Sequence, residues 1–205
     1  DHPTRRSTSI NVDRLPLQIR RGAVENGGAT TRSSTMSPDR LLQRVPPRRL
    51  ARGAPVTPAD YRCAEELGEG GTGTVYAAEQ IGLRRPVAIK LLHGHDPQHQ
   101  SSPHKLLAEA QIAALLDHPG IVPIYDVGID PDRGLFYAMK KLQGQGWDAS
   151  LTGHSERENI ETLLRLCDAV AFAHAHGVLH RDLKPANVLL GAFGEVVLVD
   201  WGLAV

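Results

Sequence analysis

The stretch HRDLKPANVLL, residues 180–190, followed at 200–202 by Asp-Trp-Gly, decides how this 205-residue chain is read. An irregular loop can supply His, Arg, Asp, Lys and Asn in some order. It rarely sets Asp182, Lys184 and Asn187 at these offsets beside short apolar strands, here Val188–Leu190 and Glu195–Val199.

Upstream, VAIK at 87–90 places Lys90 directly after the apolar centre, Val87 to Ile89, of the strand Pro86–Leu92. A lysine there is ordinarily the residue at which a strand reaches solvent. If it is buried it needs a counter-charge, and Glu109, within the apolar run LLAEAQIAALLDHP, is the candidate. The plain alternative for Glu109 is a solvent-facing helix acid. Further upstream, LGEGGTGTVY at 67–76 puts Gly68, Gly70 and Gly73 in a G-x-G-x-x-G pattern. Glycines there let backbone N–H groups approach a phosphate chain closely. The pattern alone also fits a dinucleotide-binding turn or an ordinary hairpin. A dinucleotide turn opens a helix, whereas Thr74–Glu79 reads as a strand.

The elements around these motifs are strand Tyr61–Leu67, loop Gly68–Gly73, strand Thr74–Glu79, strand Pro86–Leu92, then a helix. Ser102 suits its N-cap and Pro103 its first turn, with Leu106, Ala110, Ala113 and Leu116 at helical spacing. Strands follow at Ile121–Val127 and Leu135–Lys140. A longer helix opens on the capping box Ser155-x-x-Glu158 and closes at Gly177. Its expected buried stripe is Ile160, Leu163, Leu164, Cys167, Val170, Ala171 and His174, which in an incomplete domain would lie partly open.

Taken in order and separation, the glycine loop, VAIK, HRDLKPAN and the Asp-Trp-Gly triplet resemble the eukaryotic-type serine/threonine protein kinases. HPGIVPIYDVG at 118–128 is similar to their bacterial members, and the likeness runs from Tyr61 to Val205. The resemblance implies an α+β, protein-kinase-like fold: a lobe with a five-stranded antiparallel sheet and one helix at about 59–142, then a partial helical lobe at about 143–205. It implies ATP and Mg²⁺ as cofactors and protein Ser/Thr hydroxyls as acceptors. Lys90, held by Glu109, would take the α- and β-phosphates. Asp200 and Asn187 would hold the metal, Asp182 would accept the hydroxyl proton, and Lys184 would neutralise charge on the transferred group. Gly68, Glu69, Gly70, Gly71, Thr72, Gly73 and Thr74 would cover the phosphates. Leu67, Val75 and Ala88 would cover one face of adenine and Leu189 the other, with Met139 as gatekeeper and Lys140–Leu142 as hinge. For each apolar residue core packing is an equally compatible role. Two features depart from the family pattern. Trp201 stands where Phe is expected, with Ala113 to make room for it, and the sequence carries no APE motif after Val205. Together with an initial Asp1, this suggests an incomplete domain. The competing expectation is therefore a non-catalytic, ATP-binding kinase fragment or a pseudokinase-like scaffold.

Composition sets the remaining expectations. Residues 1–58 are rich in Arg, Ser, Thr, Pro and Gly, and read as a basic disordered arm with at most a short helix near Asp39–Arg44. Residues 1–59 carry a charge of +7 and the rest −7. The arm has scattered arginines and almost no aromatics, so no nucleic-acid partner is expected. No apolar run reaches the roughly 18–20 residues of a membrane span, so membrane anchoring is not visible. Cys63 and Cys167, distant and without a CxxC partner, read as core residues of a chain in a reducing, cytoplasmic setting. His93, His95, His99 and His104 lack metal-ligand spacing and read as a solvated loop.

Overall fold

The computed structural model describes residues 38–52, 59–70, 73–92 and 102–205. Strands β2 (Tyr61–Gly70), β3 (Gly73–Gln80), β4 (Arg85–Leu92), β5 (Ile124–Asp130) and β6 (Gly134–Lys140) form the expected antiparallel set, in the order β2-β3-β4-β6-β5. Central β4 buries four consecutive residues, Val87 to Lys90, because both faces of the sheet are covered there. Gly73 is needed where β3 meets β4, since a Cβ on it would strike the Leu91 carbonyl. Asp130 shapes the β5–β6 hairpin: its Oδ1 accepts the Asp132 and Arg133 N–H groups, and Gly134 takes the positive φ.

A sixth strand was not expected. β1 (Leu50–Arg52) lies parallel to β2, pairing Leu50 with Tyr61. It belongs to a strap that begins with helix α1 (Pro38–Leu42) and runs along the edge of β5. The Ile129 N–H donates to Pro46 O, Arg48 N–H donates to Ile129 O, and Leu50 N–H donates to the Asp130 carboxylate. The Arg48 guanidinium meets Asp126 at 2.9 Å, and Tyr61 donates its hydroxyl to the same oxygen. The arm therefore does not extend to residue 58 without packed contacts. Averaging composition over its whole length hid two local apolar runs, Leu41-Leu42 with Val45 and Leu50-Ala51. The first packs on helix α2 (Pro103–Leu115) and the second is buried at the sheet edge. The helix expected near Asp39–Arg44 is present as α1. Residues 1–37 and 53–58 lie outside the described residues.

The strand expected from Ile121 starts at Ile124, because Pro123 supplies no N–H to the ladder. Residues 120–122 turn instead to the second lobe, where Val122 N–H donates to Leu198 O and Leu198 N–H to Gly120 O. That lobe holds a small sheet, β7 (Gly144–Gly146), β8 (Val188–Gly191) and β9 (Val196–Leu198), with helices α3 (Trp147–Ser150) and α4 (Glu156–Ala175). The capping box at Ser155 forms reciprocally with Glu158. Ser102, by contrast, has the extended backbone of an N-cap without a side-chain cap bond. The stripe that α4 buries is Thr162, Leu166, Ala169 and Ala173, not the expected one. Ile160, Leu163, Leu164 and Cys167 are exposed, so Cys167 is not a core residue, while Cys63 is. The inner face was chosen by close approach: a Cβ on Gly120 would stand 3.0 Å from that of Ala169, a spacing only small residues permit.

Candidate functional site

A cleft of about 430 Å³ lies between the two sheets. Its apolar walls come from Leu67, Val75 and Ala88 on one side and Leu189 on the other, with Met139, Lys140 and Leu142 at the back. Gly68, Glu69 and Gly73 form its lip. Gly70 and Thr74 sit in the adjoining β2–β3 pairs rather than in the lining, and Gly71 and Thr72 lie outside the described residues.

At the polar end, Lys90 Nζ stands 2.7 Å from Glu109 Oε1 and 3.5 Å from Asp200 Oδ1. Lys90 and Glu109 are 7% and 2% exposed, so neither is the solvated residue that its sequence context also allowed. The pair survives burial because each charge has its opposite at contact distance. Asp200 differs: its side chain is 45% exposed and opens onto the cleft. Gly202 keeps this corner open, since a Cβ there would sit 3.3 Å from Glu109 Oε2 and 3.4 Å from Asp200 Oδ1.

The loop after His180 is built around Asn187. This buried amide lines the cleft and donates to the Asp182 carbonyl at 2.8 Å and to its carboxylate at 3.0 Å. Lys184 Nζ reaches the same carboxylate oxygen at 2.7 Å. Lys184 first and Asn187 second hold the Asp182 carboxyl below the usual carboxylate range, and Asp182 in turn raises the Lys184 ammonium. Asp182 is therefore ionised at neutral pH and fixed in position. His180 supports the loop from beneath: its Nε2 donates to Val199 O, its Nδ1 accepts the Asp182 N–H, and its ring packs edge-on to Trp201. Arg181 and Asp200 both adopt φ near +60°, a left-handed conformation that costs an ordinary residue energy and recurs at functional sites. Arg181 donates to the Leu203 carbonyl, tying this loop to the segment after Gly202.

Strand, helix and loop thus bring an ammonium, two carboxylates and an amide from separate parts of the chain to one cleft end. Residues 61–205 match the protein kinase domain family over their whole span. The chain belongs to the protein kinase family. Curated bacterial relatives are similar over the same region. Serine/threonine-protein kinase PknD of Protochlamydia amoebophila is 34% identical over 167 residues, covering 74% of this chain and 17% of the relative. PknD of Chlamydia muridarum is 37% identical over 159 residues, covering 71% and 17%. PknD of Chlamydia caviae is 36% identical over 157 residues, covering 70% and 17%. The chain thus spans about a sixth of the length of these kinases.

Two features of this kinase domain go beyond the sequence reading. Trp201, the ring in place of Phe, is 1% exposed and joins a core cluster with Ala113, as expected, although its indole N–H has no hydrogen-bond partner among the described residues. Tyr137 was not singled out, yet its hydroxyl donates to Glu109 Oε1 at 2.7 Å. The only signal for it was alternation along β6, which sends Phe136 and Ala138 to one face and Tyr137 and Met139 to the other. Of the histidines, His93, His95 and His99 lie outside the described residues, and His104 meets Asp39 at 3.2 Å. Among the described residues no helix is long and apolar enough to cross a membrane.

Proposed function

We propose that the chain provides the nucleotide site and catalytic loop of an ATP- and Mg²⁺-dependent serine/threonine protein kinase, acting on protein Ser/Thr hydroxyls. The observation that carries this reading is the convergence of Lys90, Glu109 and Asp200 at the polar end of an otherwise apolar cleft, with Asn187 bridging to Asp182. The cleft is within the usual range for a small ligand, with apolar walls suited to a planar base and its cations and carboxylates gathered at one end. The half-exposed Asp200 carboxylate and the Asn187 amide oxygen are hard donors of the kind that Mg²⁺ prefers. Mg·ATP, when bound, supplies a charge-neutralised phosphoryl donor.

In this reading Lys90 orients the phosphates and Glu109 fixes Lys90. Asp182, kept ionised by Lys184 and Asn187, orients the acceptor hydroxyl and takes its proton. Lys184 lies close enough to balance charge that develops nearby. Because the reaction asks mainly for positioning and charge balance, a preformed hydrogen-bonded loop is the right kind of machinery. The test is phosphate incorporation from ATP into a basic protein acceptor by the intact gene product. Asp182→Asn should lower turnover by about 10²-fold or more, as loss of a positioned base does, with ATP affinity nearly unchanged. Turnover within a few-fold of wild type would reject Asp182 as the base. Nucleotide binding without any transfer would reject the enzymatic reading in favour of a nucleotide-binding module.

A further inference from the structure

We infer that Tyr137 is a positioning residue for the phosphate-binding lysine: its hydroxyl anchors the one Glu109 oxygen that Lys90 grips, and so fixes where the Lys90 ammonium stands. This rests on the nucleotide-site reading above and adds to it a residue outside the recognised motifs.

The placement begins with sheet register. Tyr137 on β6 lies directly opposite Lys90 on β4, the closest cross-strand relation a sheet offers. Helix α2 brings Glu109 to both. Lys90 Nζ and Tyr137 OH each stand 2.7 Å from Glu109 Oε1. The ammonium is 6.0 Å from the tyrosine ring centroid, at the outer limit for a cation–π contact, so the coupling runs through the carboxylate rather than the ring.

The carboxylate's bonding is lopsided. Oε2 is buried with no hydrogen-bond partner among the described residues, so Oε1 carries both bonds. A buried anion short of donors gains strongly from each one it has. Without the hydroxyl, Glu109 would be held by Lys90 alone, and its head group could rotate about its last torsion. Lys90 also has Asp200 at 3.5 Å as a second attractor. The ammonium would then be shared between two carboxylates instead of being fixed by one. Burial first, and the Glu109 charge second, push the Tyr137 hydroxyl well above its ordinary pKa, so it remains a donor wherever the protein is folded. Phenylalanine fills nearly the same volume, so Tyr137→Phe removes little besides this bond.

The experiment measures the affinities of the chain for ATP and for adenosine in wild type, Tyr137→Phe, Lys90→Met and the double variant. Wild type should prefer ATP. If it shows no preference, the nucleotide-site reading itself fails, independently of Tyr137. Given that preference, Tyr137→Phe should weaken ATP about tenfold, the low end for a hydrogen bond to a charged group because the effect is relayed through Glu109. Adenosine affinity should stay within about twofold, and adding Tyr137→Phe to Lys90→Met should cost nothing more, as expected for residues acting through one another. An unchanged or increased ATP-to-adenosine ratio overturns the inference. So does equal weakening of both ligands, which marks a merely structural role. Tyr137→Leu, which also lacks the hydroxyl, must show the same selective loss and decides the matter if the phenylalanine variant does not fold.

Discussion

Replacing Asp130 by Asn tests whether the strap is part of the folded body. Asp130 is buried and accepts three backbone N–H groups: Leu50 at 2.8 Å on Oδ2, and Asp132 and Arg133 at 3.0 Å each on Oδ1. A carboxylate can do this because both of its oxygens only accept. An amide of the same shape has one acceptor and must aim its NH₂ at a donor. The cheaper orientation keeps the two hairpin bonds and turns the NH₂ toward Leu50 N–H, so the strap loses its buried bond. A hydrogen bond to a charged group contributes about 1.5–3 kcal/mol, and here a donor faces a donor in its place, so the expected loss is about 2–3 kcal/mol. For a unit of this size each kcal/mol shifts melting by about 2–4 °C, giving a drop of about 5–10 °C. Thermal melting with amide hydrogen exchange reads both parts of the effect. Leu50 N–H should lose protection first, while the N–H groups of Asp132 and Arg133 keep theirs. A melting shift under about 1 °C with Leu50 still protected would refute the reasoning, and would return the boundary of the folded body to the region of residue 58.

Two further outcomes follow from local geometry. Ser155→Ala removes the hydroxyl that accepts from Glu158 N–H and donates to Glu158 Oε2, and should lower melting by about 2–4 °C. Ser155, through its hydroxyl first and its backbone N–H second, holds the Glu158 carboxyl below the usual range. The stability this adds is present above about pH 4.3 and lost as pH falls through the depressed value, so the variant should show a shallower acid limb. His180 is held below the ordinary histidine value chiefly by burial. The folded state therefore refuses a proton that the unfolded chain accepts, and stability should fall as pH drops below about 6.5. Melting followed against pH should show a smaller fall in His180→Gln, and an equal fall would exclude His180 as its source.

What was legible in the sequence is what short-range geometry fixes. Asp182, Lys184 and Asn187 lie within six residues, so their offsets nearly determine that one loop can gather them. Lys90 could be placed because it follows Gly73 by seventeen residues, a separation that lets the next strand fold back beside the glycine loop. The strap escaped because arginines and prolines dominate its composition, whereas its docking depends on a few apolar residues and on backbone groups that any sequence has. The inner α4 stripe, Thr162 to Ala173, was missed because the helix offers two overlapping stripes. The exposure of Ile160, Leu163 and Leu164 matches the expectation that the bulkier one would lie partly open. The bulkier one looked like the core, yet the one with Ala169 and Ala173 allows the closer approach to Gly120. Tyr137 was hidden for another reason: its role depends on the β4–β6 register and on a helix crossing both strands, which no local pattern encodes.

Two of these unread parts, the strap and Tyr137, share one element. Helix α2 begins without a side-chain cap from Ser102 and has no acid in its first turn, so its own sequence does little to fix its position. Its place is set by contacts from elsewhere. Leu41, Leu42 and Val45 of the strap pack in one cluster with Leu106, Leu107 and Ala110, the residues on either side of Glu109. Asp39 reaches His104 at the start of the helix, while Lys90 and Tyr137 hold Glu109 at its middle. A helix so placed can carry a carboxylate accurately only while both sets of contacts are made. The strap and the buried Lys90–Glu109–Tyr137 group are therefore two supports of the same residue, one apolar and on the outside, the other polar and on the cleft side. Loosening the first by Asp130→Asn should leave Glu109 paired but its helix more mobile. Loosening the second by Tyr137→Phe should leave the helix docked but its carboxylate free to turn.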